Sequence, residues 1–350
     1  MKYGLNIRLA RESRGLSQKE LAKLVEITQV SLSRMEKSDA VITLPLLERI
    51  SEVLHYPVSF FEKSFNDKEL ESSMFYRKRA SMKIRDLDII KRRIQFINKA
   101  VDILLQSVEI PELSIPQIEC TEEYQADEIA YRLKRHLNLS SEPISRIVNV
   151  IERCGVIVYF INFGDAGDKF DGLTTFTPNN HPIIYLNDNM PNDRKRFNLI
   201  HEVGHLTMHL RSSNLQKGGD EMEREANLFA SEFLMPQEVC VSDFSNLKMK
   251  DLPALKQKYL VSKASIIHRA NELGCISDCT AKYFYITLGR NNERKEELGN
   301  VFIDRPTIIS KMLGLHTNGL GYSDEEMSDM LGFCIDEIKQ LYGKKLEIAI

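Results

Sequence analysis

The chain has 350 residues, of which 43% are hydrophobic and 28% charged, a composition that fits two or three globular domains with their own cores. A net charge of −3 excludes a global basic field, so any nucleic-acid site must be local. No apolar run approaches the roughly 18 residues of a membrane span, which excludes a helical membrane protein. The N-terminus lacks the apolar core of a signal peptide. Six scattered cysteines (Cys120, Cys154, Cys240, Cys275, Cys279 and Cys334) are expected to be reduced thiols in a cytoplasmic protein. A thiolate metal site is the weaker alternative, because Cys275-x-x-x-Cys279 lacks a matching second pair.

Residues 1–65 form the first predicted domain. Ser17 and Glu20 have the spacing of a capping box, and they start a helix over 18–25 with Leu21, Ala22, Leu24 and Val25 inward. Glu26-Ile27-Thr28 makes a tight turn, and Thr28 caps a second helix over 29–37. There Leu32 and Met35 can pack inward, while Gln29, Ser31 and Arg34 offer polar side chains. Thr43, with Pro45 in the first turn, starts a further helix bearing Leu46, Leu47, Ile50, Val53 and Leu54. Two short helices joined by a three-residue turn describe a helix-turn-helix, and Gln and Arg are the side chains that read adenine and guanine.

Leu16-Ser17-Gln18-x-Glu20-Leu21-Ala22 and Ser33-Arg34-Met35-Glu36 resemble the Xre/Cro/CI-type helix-turn-helix family. The resemblance implies a double-stranded DNA operator as partner, with Gln18, Thr28, Gln29, Ser31 and Arg34 as its contacts and Glu36 as a structural residue. Two positions depart from the pattern: Glu26 stands where the family usually has glycine, and a second glycine is missing near Ser38. A helical interaction module without DNA contact is the competing reading.

Residues 66–120 read as a connection. Asn66-Asp67-Lys68-Glu69 is polar, and Phe75-Tyr76-Arg77-Lys78-Arg79 opens a basic stretch that runs to Lys91-Arg92-Arg93. That stretch could track phosphates. It could equally be the solvated side of one long helix whose apolar side carries Ile84, Leu87, Ile90, Ile94, Ile97, Val101 and Leu104. Such a helix suits a homodimer interface or an inter-domain strut. Pro111 ends it, and the segment to Pro116 is expected to be extended.

Residues 121–245 carry the chemistry. A helix over 121–139, capped by Thr121, and a second over 144–152 precede strands at 156–161, 173–176 and 182–187. An edge strand of such a sheet can hold an extended peptide by main-chain hydrogen bonds. A helix over 194–210 follows, containing His201-Glu202-Val-Gly-His205. Residues four apart share a helix face, so both histidines can turn a ring nitrogen to one metal ion, with Glu202 beside them to take a proton from water. After Gly218-Gly219, a helix over 221–234 opens with Glu223 and Glu225, either of which could be the third ligand. Tyr185 and Asn187, on the preceding strand, are candidates to line a substrate groove, as is His209.

Arg196-Phe197-x-x-x-His201-Glu202-x-Gly204-His205-x-x-x-His209, followed by Glu223-x-Glu225-Ala226-Asn227-x-Phe229-Ala230-x-x-Phe233-Leu234-Met235-Pro236, is similar to the ImmA/IrrE family of zinc metallopeptidases. The resemblance implies Zn2+ held by His201, His205 and a downstream glutamate, with Glu202 as general base. The Glu-x-x-Ala-Asn part of the pattern favours Glu223, with Glu225 the alternative.

Residues 246–350 are expected to be a helical region of unassigned role. Helices are predicted over 252–259 and 262–273, where Ser262-Lys-Ala-Ser265 faintly echoes a second helix-turn-helix. A strand is predicted over 283–288, an exposed charged stretch over 291–297, and a helix after the Ser323–Glu326 capping box. The whole is therefore expected to be mainly α with a small β-sheet (α+β). The combined resemblances imply a regulator whose peptidase cuts a protein substrate or partner regulator such as a repressor, in a stress, mobile-element or toxin-antitoxin setting. The alternative is a non-proteolytic transcription factor or antitoxin whose metal domain senses a signal or binds a partner.

Overall fold

The computed structural model describes residues 3–37, 41–65, 83–167, 170–210, 218–293 and 297–341. The sequence readings at Ser38, at 66–69, at Phe75–Arg79 and at part of 291–297 lie outside them. Among the described residues the fold is mainly helical with one three-stranded sheet, as the sequence predicts. No described helix is long and apolar enough to cross a membrane, and none of the six cysteines forms a disulfide.

Four helices form the N-terminal domain: α1 (Tyr3–Ser13), α2 (Gln18–Leu24), α3 (Gln29–Glu36) and α4 (Leu44–Leu54). The predicted caps are present. Ser17 and Glu20 close a full capping box, and the Thr28 side chain accepts from the Ser31 backbone N–H. Inside, Arg11 donates to both oxygens of Glu36 at 2.6 and 3.0 Å, a buried bidentate pair that ties α1 to α3. Glu26 adopts φ +57°, the left-handed conformation that glycine takes without strain.

Helix α5 (Ile84–Leu104) covers the predicted apolar positions but stops before Pro111, and from Ile90 onward its apolar side is buried within this chain. That makes it a strut and fills the face a homodimer would have used. Its basic side also turns partly inward: Arg92 pairs with Glu12 at 2.8 Å and Arg93 lies over the Phe163 ring. Two short helices follow, α6 (Ala126–His136) and α7 (Ile147–Arg153). Helix α6 starts later than predicted because Thr121 caps a separate turn, accepting from the Tyr124 N–H.

Strands β1 (Ile157–Ile161), β2 (Gly172–Phe176) and β3 (Pro182–Asn187) lie in the order β1-β3-β2. β3 is parallel to β1 and antiparallel to β2. Successive side chains point to opposite faces, and here each face belongs to a different core. Ile157, Tyr159, Ile161, Leu173, Ile183 and Tyr185 join the core built by α1–α5. Val158, Ile184 and Leu186 join the second core, which lies around the predicted metal helix. That second core holds α8 (Asn192–Met208), α9 (Gly219–Leu234), α10 (Gln237–Phe244), α11 (Leu252–Tyr259), α12 (Lys263–Glu272) and α13 (Asp278–Arg290).

The tail departs from expectation in three ways. In the stretch predicted to be exposed over 291–297, the Glu293 and Glu297 side chains are instead largely buried in pairs with Lys263 and Lys256 at 2.8 and 2.9 Å. The strand predicted over 283–288 is part of α13, because Ser277 caps that helix by accepting from the Thr280 N–H, and the β-branched residues then continue one helical turn after another. The domain boundary at 245 is not a packing boundary either. Ile266, Ile267 and Ala270 of α12 sit in the second core, whereas α14 (Ile308–Gly314) and α15 (Asp324–Leu331) cross back to the first. The crossing is sutured by carboxylates. Asp304 accepts the Val148 and Asn149 N–H groups, and Glu152 accepts from Thr307 and Ile308 although burial raises its pKa. The last described helix, α16 (Ile335–Leu341), docks on the end of α4.

Glycine at position 26 would relieve the left-handed strain at little cost, since the Arg49–Glu26 pair is exposed. Glu26→Gly is expected to stabilise the protein by roughly 0.5–1 kcal/mol, seen as a higher urea midpoint. An unchanged or lower midpoint would show that the turn is not strained.

Candidate metal centre

Helix α8 is anchored before it reaches the histidines. Arg196 is fully buried and donates to the carbonyls of Ile144, Ser145 and Phe302, which pins the helix to the segments on either side. Burial lowers the pKa of its guanidinium to about 10, leaving it charged at neutral pH. At the first turn, Asp193 accepts from Lys256 at 2.7 Å, and Lys256 also reaches Glu297.

Helix α9 then crosses α8 at Gly204. A Cβ at that position would lie 3.0 Å from the Phe229 ring, so glycine is what allows the helices to approach. The close approach by an aromatic ring explains a mid-helix glycine that costs about 1 kcal/mol in helix propensity. It also sets Glu223, in the second turn of α9, against the two histidines of α8.

His201, His205 and Glu223 thereby form a three-membered cluster. The His201 and His205 Nε2 atoms are 3.1 Å apart, and each is 3.5 Å from a Glu223 oxygen. A tetrahedral zinc with bonds near 2.0–2.1 Å sets its ligand atoms about 3.3–3.4 Å apart. Two imidazoles and one carboxylate at these separations fit such an ion. The His201 side chain is 2% exposed, but His205 and Glu223 are 14% and 25% exposed, so the cluster opens to solvent on one side.

The remaining ring nitrogens are held too. Asn227 Oδ1 lies 3.0 Å from His201 Nδ1. As an acceptor there, it fixes the proton on Nδ1 and leaves Nε2 with a lone pair toward the cluster. His205 Nδ1 lies 2.9 Å from His209 Nδ1, and His209 Nε2 lies 2.9 Å from Glu225 Oε2. If Glu225 accepts from Nε2–H, then His209 Nδ1 accepts from His205 and frees His205 Nε2 in turn. Glu225 is therefore spent on His209, and Glu223 is the carboxylate at the histidine pair. Glu202, 9% exposed, accepts from Thr174 Oγ1 on β2 at 2.7 Å.

The predicted groove residues are placed differently. Tyr185 is wholly buried and donates to Asn98 Oδ1, and Asn187 is spent on the carbonyls of Gly167 and Phe170. Both lie on β3, the central strand, whose edges are already paired; neither lines a groove. Thr174 and Asn98 carried no signal in the sequence, and Asn227 was visible only as part of a longer pattern.

In the N-terminal domain Thr28, Gln29 and Arg34 are exposed around the start and outer side of α3, together with Val30 at 63%. Ser31 is half-buried beside Thr28, at 2.8 Å between their hydroxyl oxygens. Gln18 donates to Glu36 Oε2 at 2.7 Å, so its amide nitrogen is already engaged.

Comparison with known families agrees with both halves. A helix-turn-helix family matches residues 7–61, and an IrrE N-terminal-like peptidase family, whose members imply a metal, matches residues 151–271. No curated protein matches the chain. The second match runs from α7 through α12 and so passes the predicted boundary at 245 into the helices that share its core. The chain joins an Xre-type helix-turn-helix domain to an IrrE-like metallopeptidase-type domain.

Proposed function

We propose that this protein is a DNA-binding regulator whose peptidase domain holds zinc through His201, His205 and Glu223 and cuts a partner regulatory protein. The observation that carries the reading is the cluster itself: three donor atoms at zinc-ligand spacing, beside a carboxylate that is not among them. A structural zinc site is usually closed by four protein ligands, whereas a catalytic one has three and an open position.

When bound, zinc supplies Lewis acidity toward a peptide carbonyl and lowers the pKa of water toward neutrality. The protein's own groups do the rest. Asn227 and the His209–Glu225 pair hold both imidazoles in the tautomer that presents Nε2. Thr174 fixes one oxygen of Glu202, and the other, Oε1, receives a proton from the attacking water. Glu202 then returns that proton to the leaving amine. The exposed start of α3 supports docking in a major groove, where Gln29 and Arg34 offer amide and guanidinium donors to base edges.

Two experiments test the two halves. Glu202→Gln keeps the ligand set, so the purified variant is expected to hold as much zinc as wild type while cleavage falls by about 10²–10⁴-fold. Comparing new protein N-termini in cells carrying each form reads this directly. Identical profiles at equal zinc content would sink the peptidase reading in favour of a metal-dependent binding module. For the DNA half, selection from a random duplex library at low salt is expected to enrich one operator sequence. Arg34→Ala is expected to weaken that operator by about 1–3 kcal/mol and relax one base position. Failure of the wild-type protein to enrich any sequence contradicts it.

A further inference from the structure

A second cluster of side chains that could hold a metal ion lies where the N-terminal domain meets the tail. His55 caps α4 in the left-handed conformation, at φ 54° and ψ 53°. Its Nε2 is 2.9 and 3.0 Å from the two oxygens of Asp336, in the first turn of α16. Cys334 stands just before that helix, with its carbonyl accepting from the Ile338 N–H. One donor atom from each of the three, including Cys334 Sγ, lies within 4.8 Å of the others.

The charges around the cluster can accept a cation. Arg14 is the basic group beside it, and its guanidinium is taken up bidentately by Glu337 at 2.6 and 2.9 Å and by the Leu54 and His55 carbonyls. The start of α16 is the unfavourable end of a helix dipole for a cation, but with Glu337 paired to Arg14 the carboxylate of Asp336 in the first turn offsets it. An exposed His–Asp pair on its own contributes little to stability and has no use for a thiol. The thiol that converges on it makes the donor set one imidazole, one thiolate and one carboxylate. That mixture suits a borderline-soft divalent ion of the zinc class and discriminates against magnesium or calcium, which select oxygen.

We propose that His55, Cys334 and Asp336 form a second divalent-metal site of the zinc class, with solvent completing the coordination. On binding, Cys334 Sγ–H loses its proton to solvent and the thiolate becomes the ligand. Two ligands come from α16 and its approach and one from the end of α4, so the ion staples the DNA-binding domain to the tail. The proposal does not depend on the peptidase reading.

Cobalt(II) titration of the full-length protein separates the two sites, because only this one contains sulfur. Wild type is expected to bind two equivalents and to develop the near-ultraviolet charge-transfer band of a cobalt–thiolate bond. Cys334→Ser is expected to remove the band and one equivalent. His55→Ala, which leaves every sulfur in place, is expected to raise the cobalt concentration needed for the band at least about tenfold. His201→Ala is expected to remove an equivalent and leave the band. A wild type without the band, or a band that survives Cys334→Ser, overturns the proposal. Loss of the other equivalent alone would count against the peptidase site and not against this one.

Discussion

The contact between Gly204 and Phe229 is the constraint on which the His201–His205–Glu223 cluster depends. Three donor atoms from two helices must come within a few ångströms of one another, and side chains cannot supply that precision if the helix axes are free to drift. A glycine on α8 facing an aromatic ring on α9 brings the axes close and fixes their rotation, with 3.0 Å available where a methyl group would otherwise sit. Arg196 holds α8 lengthwise and the Asp193–Lys256–Glu297 network holds its start. The asparagine and the second histidine–glutamate pair then set the rings, so each layer limits the freedom left by the one before.

The sheet has a role beyond presenting Thr174. Both of its faces are covered, one by the core of the N-terminal domain and α5, the other by the core around α8 and α9. The strand alternation that normally separates core from solvent here separates one core from another. Helices α14 and α15 return to the first core, and α16 reaches α4, so the DNA-binding domain is packed into the body of the protein at several places.

Much of this was legible in the sequence, for identifiable reasons. Capping residues act locally, so Ser17, Thr28 and Ser323 marked their helices correctly. The regular spacing along α5 located the helix, although it ends at Leu104 and not at Pro111. The Glu-x-x-Ala-Asn pattern favoured Glu223, but what separates it from Glu225 is geometry: one carboxylate faces the histidine pair and the other is engaged by His209. Long-range pairing was the part that could not be read. Tyr185 lies on a strand next to the metal helix, yet its hydroxyl is buried against Asn98, 87 residues earlier. The run of β-branched and aromatic residues in α13 has a strand's composition, and only the Ser277 cap and the surrounding core make it helical. The division at 245 failed because a core is defined by what packs together and not by a change in composition.

The central claim, that α8 and α9 build one metal site through Glu223, is tested most directly by comparing zinc affinity in Glu223→Gln and Glu225→Gln. Replacing a ligand is expected to remove one equivalent of tightly bound zinc in the first. In the second, only the orientation of His209 and His205 is disturbed, and affinity is expected to fall about 10–100-fold. If Glu223→Gln binds zinc like wild type, or if Glu225→Gln is the variant that loses it, the assignment of the third ligand and the helix crossing that supports it are wrong.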